Sequence, residues 1–451
     1  MIETIERKSK SISTGIDWYL SSFRLFEESL NGKAASQIHS IRKDALARFA
    51  ELGFPTTKNE EWKYTDISRL TKYHFKPVLK YSLNGLTVQD VQRFTFHDLP
   101  SFRVVCVNGN FSQELSTLSG LPRGVRIESL ADALQSDFAV VQNHIAKFAN
   151  YENDAFTALN MAFLYDGVFI SIPENIILET PIHVLFISTG SDAEFVSHPR
   201  SLIVMGKNAQ VSILESYVSL TEATYFTNTV SEIILGENAV LEHDRVQFES
   251  DRAFHISTVQ VRQERNSNFT SNSVAFGGLL VRNNINAVLD GEGAECTLNG
   301  LYLGTDSQLI DNHTTIDHAK PHCPSHELYK GILSGKSKGV FNGKIKVRKD
   351  AQKTDAKQTN KNLVLSDEAS IDTKPQLEIF ANDVKCTHGA TIGQLDEDAI
   401  FYLRSRGVSL EKARDILIYA FASDVIDRIK LEPLREQLHE IIHDRLEGER
   451  Q

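Results

Sequence analysis

The segment LIVMGKNAQVSI, Leu202–Ile213, is where the fold of this chain can be read. An apolar strand runs into a polar Gly-Lys-Asn turn, and a second strand leaves it with Ala209, Val211 and Ile213 at every other position. The kernel apolar-x-apolar, polar turn, Ala, x, apolar returns in EIILGENAVLEH (Glu232–His243), AVLDGEGAECTL (Ala287–Leu298) and LVLSDEASIDT (Leu363–Thr373), and more loosely in VFISIPENIILE (Val168–Glu179). Ala209, Ala239, Ala294 and Ala369 recur where a small side chain suits a tight corner. They lie 30, 55 and 75 residues apart, too unevenly for the steady blade of a propeller. A solenoid with loops of varied length tolerates such steps, because each coil buries its inward residues against its neighbours. The reading is a mainly β chain built on a β-helix, with a large β-sandwich as the alternative.

Outward from this core the pattern changes on both sides. Ile16–Leu30 places apolar and aromatic residues at helical spacing, and Ile38, Ile41, Leu46, Phe49 and Leu52 form a second helical stripe closed by Gly53 and Pro55. In NEEWKYTDIS, Asn59 can cap a short turn holding Glu60 and Glu61. FRVVCV (Phe102–Val107) reads as a strand followed by an Asn108-Gly109 turn, and segments near Ile127–Leu134 and Ala155–Phe163 read as helical. From Gly167 to about Cys386 nearly everything is strand and turn. Beyond it, Asp396 can cap a helix ended by Gly407, and Ser409 a longer one carrying Leu410, Ala413, Ile416, Leu417, Ala420, Phe421 and Val425. A third helix follows Pro433, and the end, EGERQ, should fray. This gives a mostly helical region over 1–95, a β core over 96–392 with helical insertions near 127–164, and a helical domain over 393–451.

Composition narrows the function classes. The chain has 451 residues, longer than the roughly 250–300 that one core serves. Its hydrophobic content of 41% and charged content of 24% are ordinary for a globular protein. A net charge of −11 argues against general nucleic-acid affinity, which needs cationic surface. Cys106, Cys296, Cys323 and Cys386 are far apart and form no CxxC pair, so a disulfide scaffold is not expected. With no apolar leader in MIETIERKSKSISTG and no long apolar span, the expectation is a cytoplasmic protein that does not enter membranes.

Several residue groups could carry chemistry. In KPQLEIFANDVKCTHGATIGQL (Lys374–Leu395), a strand would place Cys386 and His388 on one face, with Lys385 and Thr387 on the other. A thiolate beside an imidazole suits zinc, copper or iron–sulfur chemistry, but a tetrahedral site takes about four ligands, so another chain or distant residues would have to finish it. The segment DNHTTIDHAKPHCPSHE (Asp311–Glu327) gathers His313, His318, His322, Cys323 and His326. Pro321 and Pro324 suggest an irregular loop there. Histidines bonded within that loop are the plain alternative to a zinc-stabilised structure. GILSGKSKG (Gly331–Gly339) is one residue short of a P-loop and is followed by a strand pattern, so ATP binding by this chain is not expected. No GxGxxG follows a strand, which leaves flavin binding open. The alternating lysines of KIKVRKD read as a solvated strand face. Acidic pairs such as Asp290/Glu292 and Asp367/Glu368 sit at turns, although a polysaccharide-acting β-helix enzyme would also need carboxylates.

Three stretches carry a resemblance: NEEWKYTDIS, DNHTTIDHAKPHCPSHELYKGILSGKSKGVFNGKIKV, and TDAKQTNKNLVLSDEASIDTKPQLEIFANDVKCTHGATIGQLDEDAIFYLRSRG. On these the chain resembles the SufB/SufD family of the SUF iron–sulfur cluster assembly system. The Glu-Glu-Trp-Lys-Tyr start, the Cys-Thr-His-Gly form at Cys386–Gly389 and the scarcity of cysteine are similar to its SufD side. The resemblance implies a right-handed parallel β-helix flanked by helical regions, with no catalysis of its own. It implies pairing with a SufB-like subunit near the Cys386 strand, and a SufC-like ATPase docked on the C-terminal helices through the region of Asp396, Phe401, Arg404, Ile416 and Phe421. It places a nascent iron–sulfur cluster at the shared interface near His388, with Cys386 beside it, and ATP only on the partner ATPase. A homodimer is the option for the isolated chain.

Overall fold

The computed structural model describes residues 15–30, 37–79, 82–83, 85–136, 141–190 and 194–448. Two long, mostly parallel sheets face each other. Together they form a flattened solenoid of about seven coils. The chain alternates between the sheets, so eight strands in each span about seven full turns. The first sheet runs Gly167–Ile172, Arg200–Met205, Tyr225–Leu235, Phe254–Gln263, Leu280–Leu289, Leu309–His318, Lys338–Val347 and Ser370–Ile379. The second runs Ile177–Ser188, Gln210–Ser219, Val240–Glu249, Asn268–Gly277, Glu295–Gly304, Pro324–Leu333, Asp355–Val364 and Lys385–Gly393.

The corner seen in Leu202–Ile213 explains why the chain coils. At seven of the eight passages from first sheet to second, all but the last, one residue adopts a left-handed backbone: Asn175, Asn208, Asn238, Asn266, Gly293, His322 and Lys353, in steps of 27 to 33 residues. Asparagine and glycine enter this region most readily. The asparagines also stack: Asn208 Nδ2 donates to Asn175 Oδ1 at 2.7 Å, and Asn238 Nδ2 to Asn208 Oδ1 at 2.9 Å. A small buried residue follows each of the later corners in turn: Ala209, Ala239, Ser267, Ala294, Cys323 and Thr354. Ala369 belongs instead to the opposite edge, between Asp355–Val364 and Ser370–Ile379. The uneven alanine spacing thus came from skipped coils and from merging two edges.

In-register parallel pairing stacks like-facing residues. Ile213, His243, Ser271, Leu298, Glu327, Gln358 and His388 share one inner row of the second sheet; Val211, Leu241, Phe269, Cys296, Ser325, Ala356 and Cys386 share the adjoining one. The interior is therefore part apolar and part polar.

Helices cover both outer faces. Gly15–Ser29, Gln37–Leu52 and Ala155–Ala162 pack their aromatic side against Phe226, Phe254 and Leu280 of the first sheet. Leu410–Ile426 and Glu432–Gly448 pack Ile418, Val425, Leu434 and Leu438 against Val246, Phe276, Leu301 and Leu328 of the second. The tail caps read from sequence are present: Asp396 accepts from Asp398 and Ala399 amides, and Ser409 from the Lys412 amide. Asn59 differs. It precedes the short turn Glu60–Trp62, but its Oδ1 accepts from the Thr56 amide behind it and caps nothing ahead. Ile127 also differs, lying in the strand Arg126–Ser129, with the helix starting at Leu130. EGERQ extends beyond the described residues.

The segment after Asn59 lashes the distal coils. Arg282 stacks 3.8 Å over the Trp62 ring and donates to Glu61 O and Asp311 Oδ2, each at 2.8 Å. Thr65 donates to the same Asp311 oxygen at 2.5 Å, Lys338 Nζ to Tyr64 O at 2.9 Å, and Lys344 pairs with Glu61 and Lys374 with Glu60.

Candidate functional site at the open end of the solenoid

The two ends of the solenoid differ. At the first, Asn110–Thr117 and Arg126–Ser129 finish the sheets in antiparallel fashion. At the other, Ser370–Ile379 and Lys385–Gly393 each pair on one side only. The Lys385 amide donates to Thr354 O, so alternation turns the backbone groups of Cys386, His388, Ala390 and Ile392 outward. The same reasoning from Ser370, which donates to Ser337 O, turns position 375 outward, and that residue is proline. Proline has no N–H to offer, so the first sheet's edge is interrupted at its centre while the second sheet's edge is continuous.

Cys386 and His388 lie on that continuous edge. Their side chains fall in the inner rows, at the mouth of the lumen. His388 is exposed, whereas Cys386 is half-buried against the cluster of Ile345, Val347, Ala356 and Leu377. Burial pushes the Cys386 thiol up, and Asp355 adds to this against a backbone bond from Ala356. Around them Phe380 (61% exposed), Ile379 and Ile392 (55%) present apolar surface to solvent. One sulfur and one imidazole about two strand positions apart are chemically suited to iron or a cluster, yet they make only part of a ligand set.

Beneath the mouth, Gln358 is 2% exposed and its Nε2 donates to Glu327 Oε2 at 2.7 Å. Burial pushes Glu327 up to about 7, although the bond from Gln358 opposes it. Gly343 faces this pair; a Cβ there would lie 2.3 Å from Gln358 Nε2. Sequence reading passed over Glu327 and Gln358. The available signal was the run Ala356, Gln358, Asn360, Asn362, four small or polar residues alternating on a face that is buried.

The five ligand-type residues of Asp311–Glu327 do not converge. That segment is two strands and a corner, not an irregular loop. His313 faces outward from the first sheet, 3.0 Å from Asp311 Oδ1, beside a cleft of about 460 Å³ under the Asn59–Trp62 segment. His318 points inward to Ser325 Oγ at 3.0 Å, and burial brings it down to about 4. His322 and Cys323 occupy the corner positions, left-handed and small, with Cys323 Sγ directed to Gly291 O. His326 faces solvent on the outer second sheet. Among the described residues no three His, Cys, Asp or Glu side chains gather as a metal site. Asp290 is paired with Arg262 and Glu368 with Lys336, as turn residues would be.

On the C-terminal helices, Phe401 is 74% exposed, and Tyr402, Arg404, Leu410 and Ile416 also face out. Phe421 turns the other way: Lys330 Nζ sits 4.3 Å over its ring, donates to its carbonyl and pairs with Asp424 at 2.7 Å. Asp396 serves as the cap already described. Among the described residues no helix is long and apolar enough to cross a membrane.

Two family descriptions match the chain: the SufBD core domain of SUF system FeS cluster assembly over residues 186–421, and the SufBD protein N-terminal region over residues 15–184. An iron–sulfur cluster assembly SufBD family protein of Synechocystis is 36% identical over 421 residues, covering 92% of each chain. Iron–sulfur cluster assembly protein SufD of Escherichia coli is 32% identical, covering 89% of this chain and 92% of its own. A chloroplastic protein of Arabidopsis thaliana, ABCI7, is 32% identical, covering 91% and 87%.

Proposed function

On the premise that the chain belongs to the SufBD family of iron–sulfur cluster assembly proteins, we propose that it is a non-catalytic scaffold whose open solenoid end joins a SufB-like subunit and helps hold a nascent cluster. The observation that carries this reading is the coincidence, at one end of the solenoid, of an edge strand with outward backbone groups, the Cys386–His388 pair on that strand, and the exposed apolar side chains of Ile379, Phe380 and Ile392. A partner strand added there would complete both the sheet and the ligand shell. The cluster is cargo, received and passed on. His388, exposed at the lip, meets it first. Cys386 needs displacement of its proton, which an incoming metal favours.

The C-terminal helices supply the second contact. Phe401, Tyr402, Leu410 and Ile416 are apolar side chains left exposed among the described residues, and a SufC-like ATPase seated over them would couple nucleotide-driven motion to the solenoid through the Lys330–Asp424–Phe421 anchor.

Anaerobic reconstitution with both partners tests the proposal. His388→Ala, an exposed substitution, should shift stability by no more than about 0.5 kcal/mol, yet lower iron and sulfide retained by the complex at least about tenfold. Unchanged cluster content in that variant would refute the role of His388. Failure of the wild-type chain to co-purify with either partner would refute the scaffold reading itself.

A further inference from the structure

The inner row that ends at His388 holds an unanswered hydrogen-bond acceptor. Gln358 is buried, so the last coil roofs it, and the residue of that coil in register with it is His388. The Glu327 carboxylate can only accept from a neighbouring amide while it is ionised, so it takes the Gln358 NH2 group, as the 2.7 Å contact shows. That choice orients the amide and leaves Gln358 Oε1 buried without a partner among the described residues. Gly343 provides the room, since any side chain there would push Gln358 aside. The side chain that register sets against Gln358 is that of His388, whose ring makes no bond to Oε1 in this structure yet carries the N–H donor that the row supplies.

From this geometry we infer that Gln358, oriented by Glu327, is a positioning residue that fixes the tautomer of His388. One ring nitrogen gives its proton inward to the amide oxygen, and the other keeps its lone pair toward the mouth, next to Cys386. A neutral imidazole binds metal through such a lone pair, and the group bonded to its other nitrogen selects which one is free. The inference rests on the open end being the cluster-assembly edge, but the tautomer itself is a property of the isolated chain.

The test uses the full chain labelled with ¹⁵N-histidine at pH 8. The His388 signals are identified among the 15 histidines by their loss in His388→Asn. The wild type should show two well-separated ring nitrogen resonances, as one tautomer gives. Gln358→Leu should draw them toward a common averaged value. Gln358→Glu, which keeps an acceptor, should restore the separation. The isosteric Glu327→Gln, which frees the amide to flip, should bring partial averaging without loss of fold. Averaged resonances in the wild type, or separated ones in both Gln358→Leu and Glu327→Gln, would overturn the inference. Cluster loading in the complex is read apart from this. Gln358→Leu should slow it about tenfold or more. If the tautomer responds as stated while loading does not change, the positioning role stands and the assembly reading of this edge fails.

Discussion

Asp311 shows how one side chain can hold two parts of the chain together. Burial would push its carboxyl up, but the His313 and Arg282 charges and bonds from His313 and Thr65 outweigh it and bring it to about 2. Because this folded value lies below the ordinary 3.8, the group adds stability above about pH 4 and that contribution drains away as pH falls toward 2. The amount is roughly 2 kcal/mol. Denaturant melts from pH 7 to pH 3 should show this loss in the wild type and a flatter profile in Asp311→Asn, which at neutral pH should already be about 3 kcal/mol less stable for leaving Arg282 buried without its counter-charge. Asp311 heads a stretch that reads from sequence as a metal candidate. Its neighbours His313, His318 and His326 face three different ways because a strand alternates its faces, and a count of ligand types along the chain does not register that.

At the scale of the element, the corners carry the fold. Asn238→Val forces a β-branched residue into a left-handed backbone and removes one rung of the asparagine stack, at a cost of about 2 kcal/mol or more. Asn238→Gly keeps the conformation and should cost clearly less, a ranking that thermal melts will read. The corner kernel was legible because glycine, asparagine and alanine cluster there. The period was not, because Gly293, His322 and Lys353 fill the left-handed position in later coils, and Ser267, Cys323 and Thr354 fill the small one. Once backbone geometry is set by neighbouring coils, side-chain identity is a weaker guide to it. The C-terminal helices were plainer, since their caps and apolar stripes are local. What periodicity left open there was which apolar residues stay uncovered. Phe421 belongs to the packed side and Phe401 to the open one, so Phe401→Asp should leave the melting temperature of the isolated chain unchanged and abolish capture of a SufC-like ATPase in a pull-down.

For the molecule as a whole, the asymmetry of the terminal edges sets what it can join. Pro375 blocks one sheet edge as a native device against pairing, while Lys385–Gly393 keeps its outward N–H groups. Ala390→Pro would remove one of those without touching the ladder to Asp355–Val364. It should leave the chain folded and eliminate association through this edge, whether with a SufB-like subunit or with a second copy, as read by light scattering over a concentration series. That a solenoid was present could be argued from sequence. That its end is uncapped could not, because exposure of the last coil depends on what the helices do not cover.

The contacts of Glu60 and Glu61 with the distal coils also bear on how the chain is made. Lys374 lies 314 residues after Glu60. At a synthesis rate of about 5–20 residues per second, the ribosome needs roughly 15–60 s to deliver that lysine. Within that interval the partners of the Asn59–Thr65 segment arrive in chain order: Phe156 and then Arg282 for the Trp62 ring, Asp311 for Thr65, Lys338 and Lys344 next, and Lys374 last. The strap is therefore fastened stepwise as the coils appear, and the Glu60–Lys374 pair on the last first-sheet strand is among the final contacts of biogenesis.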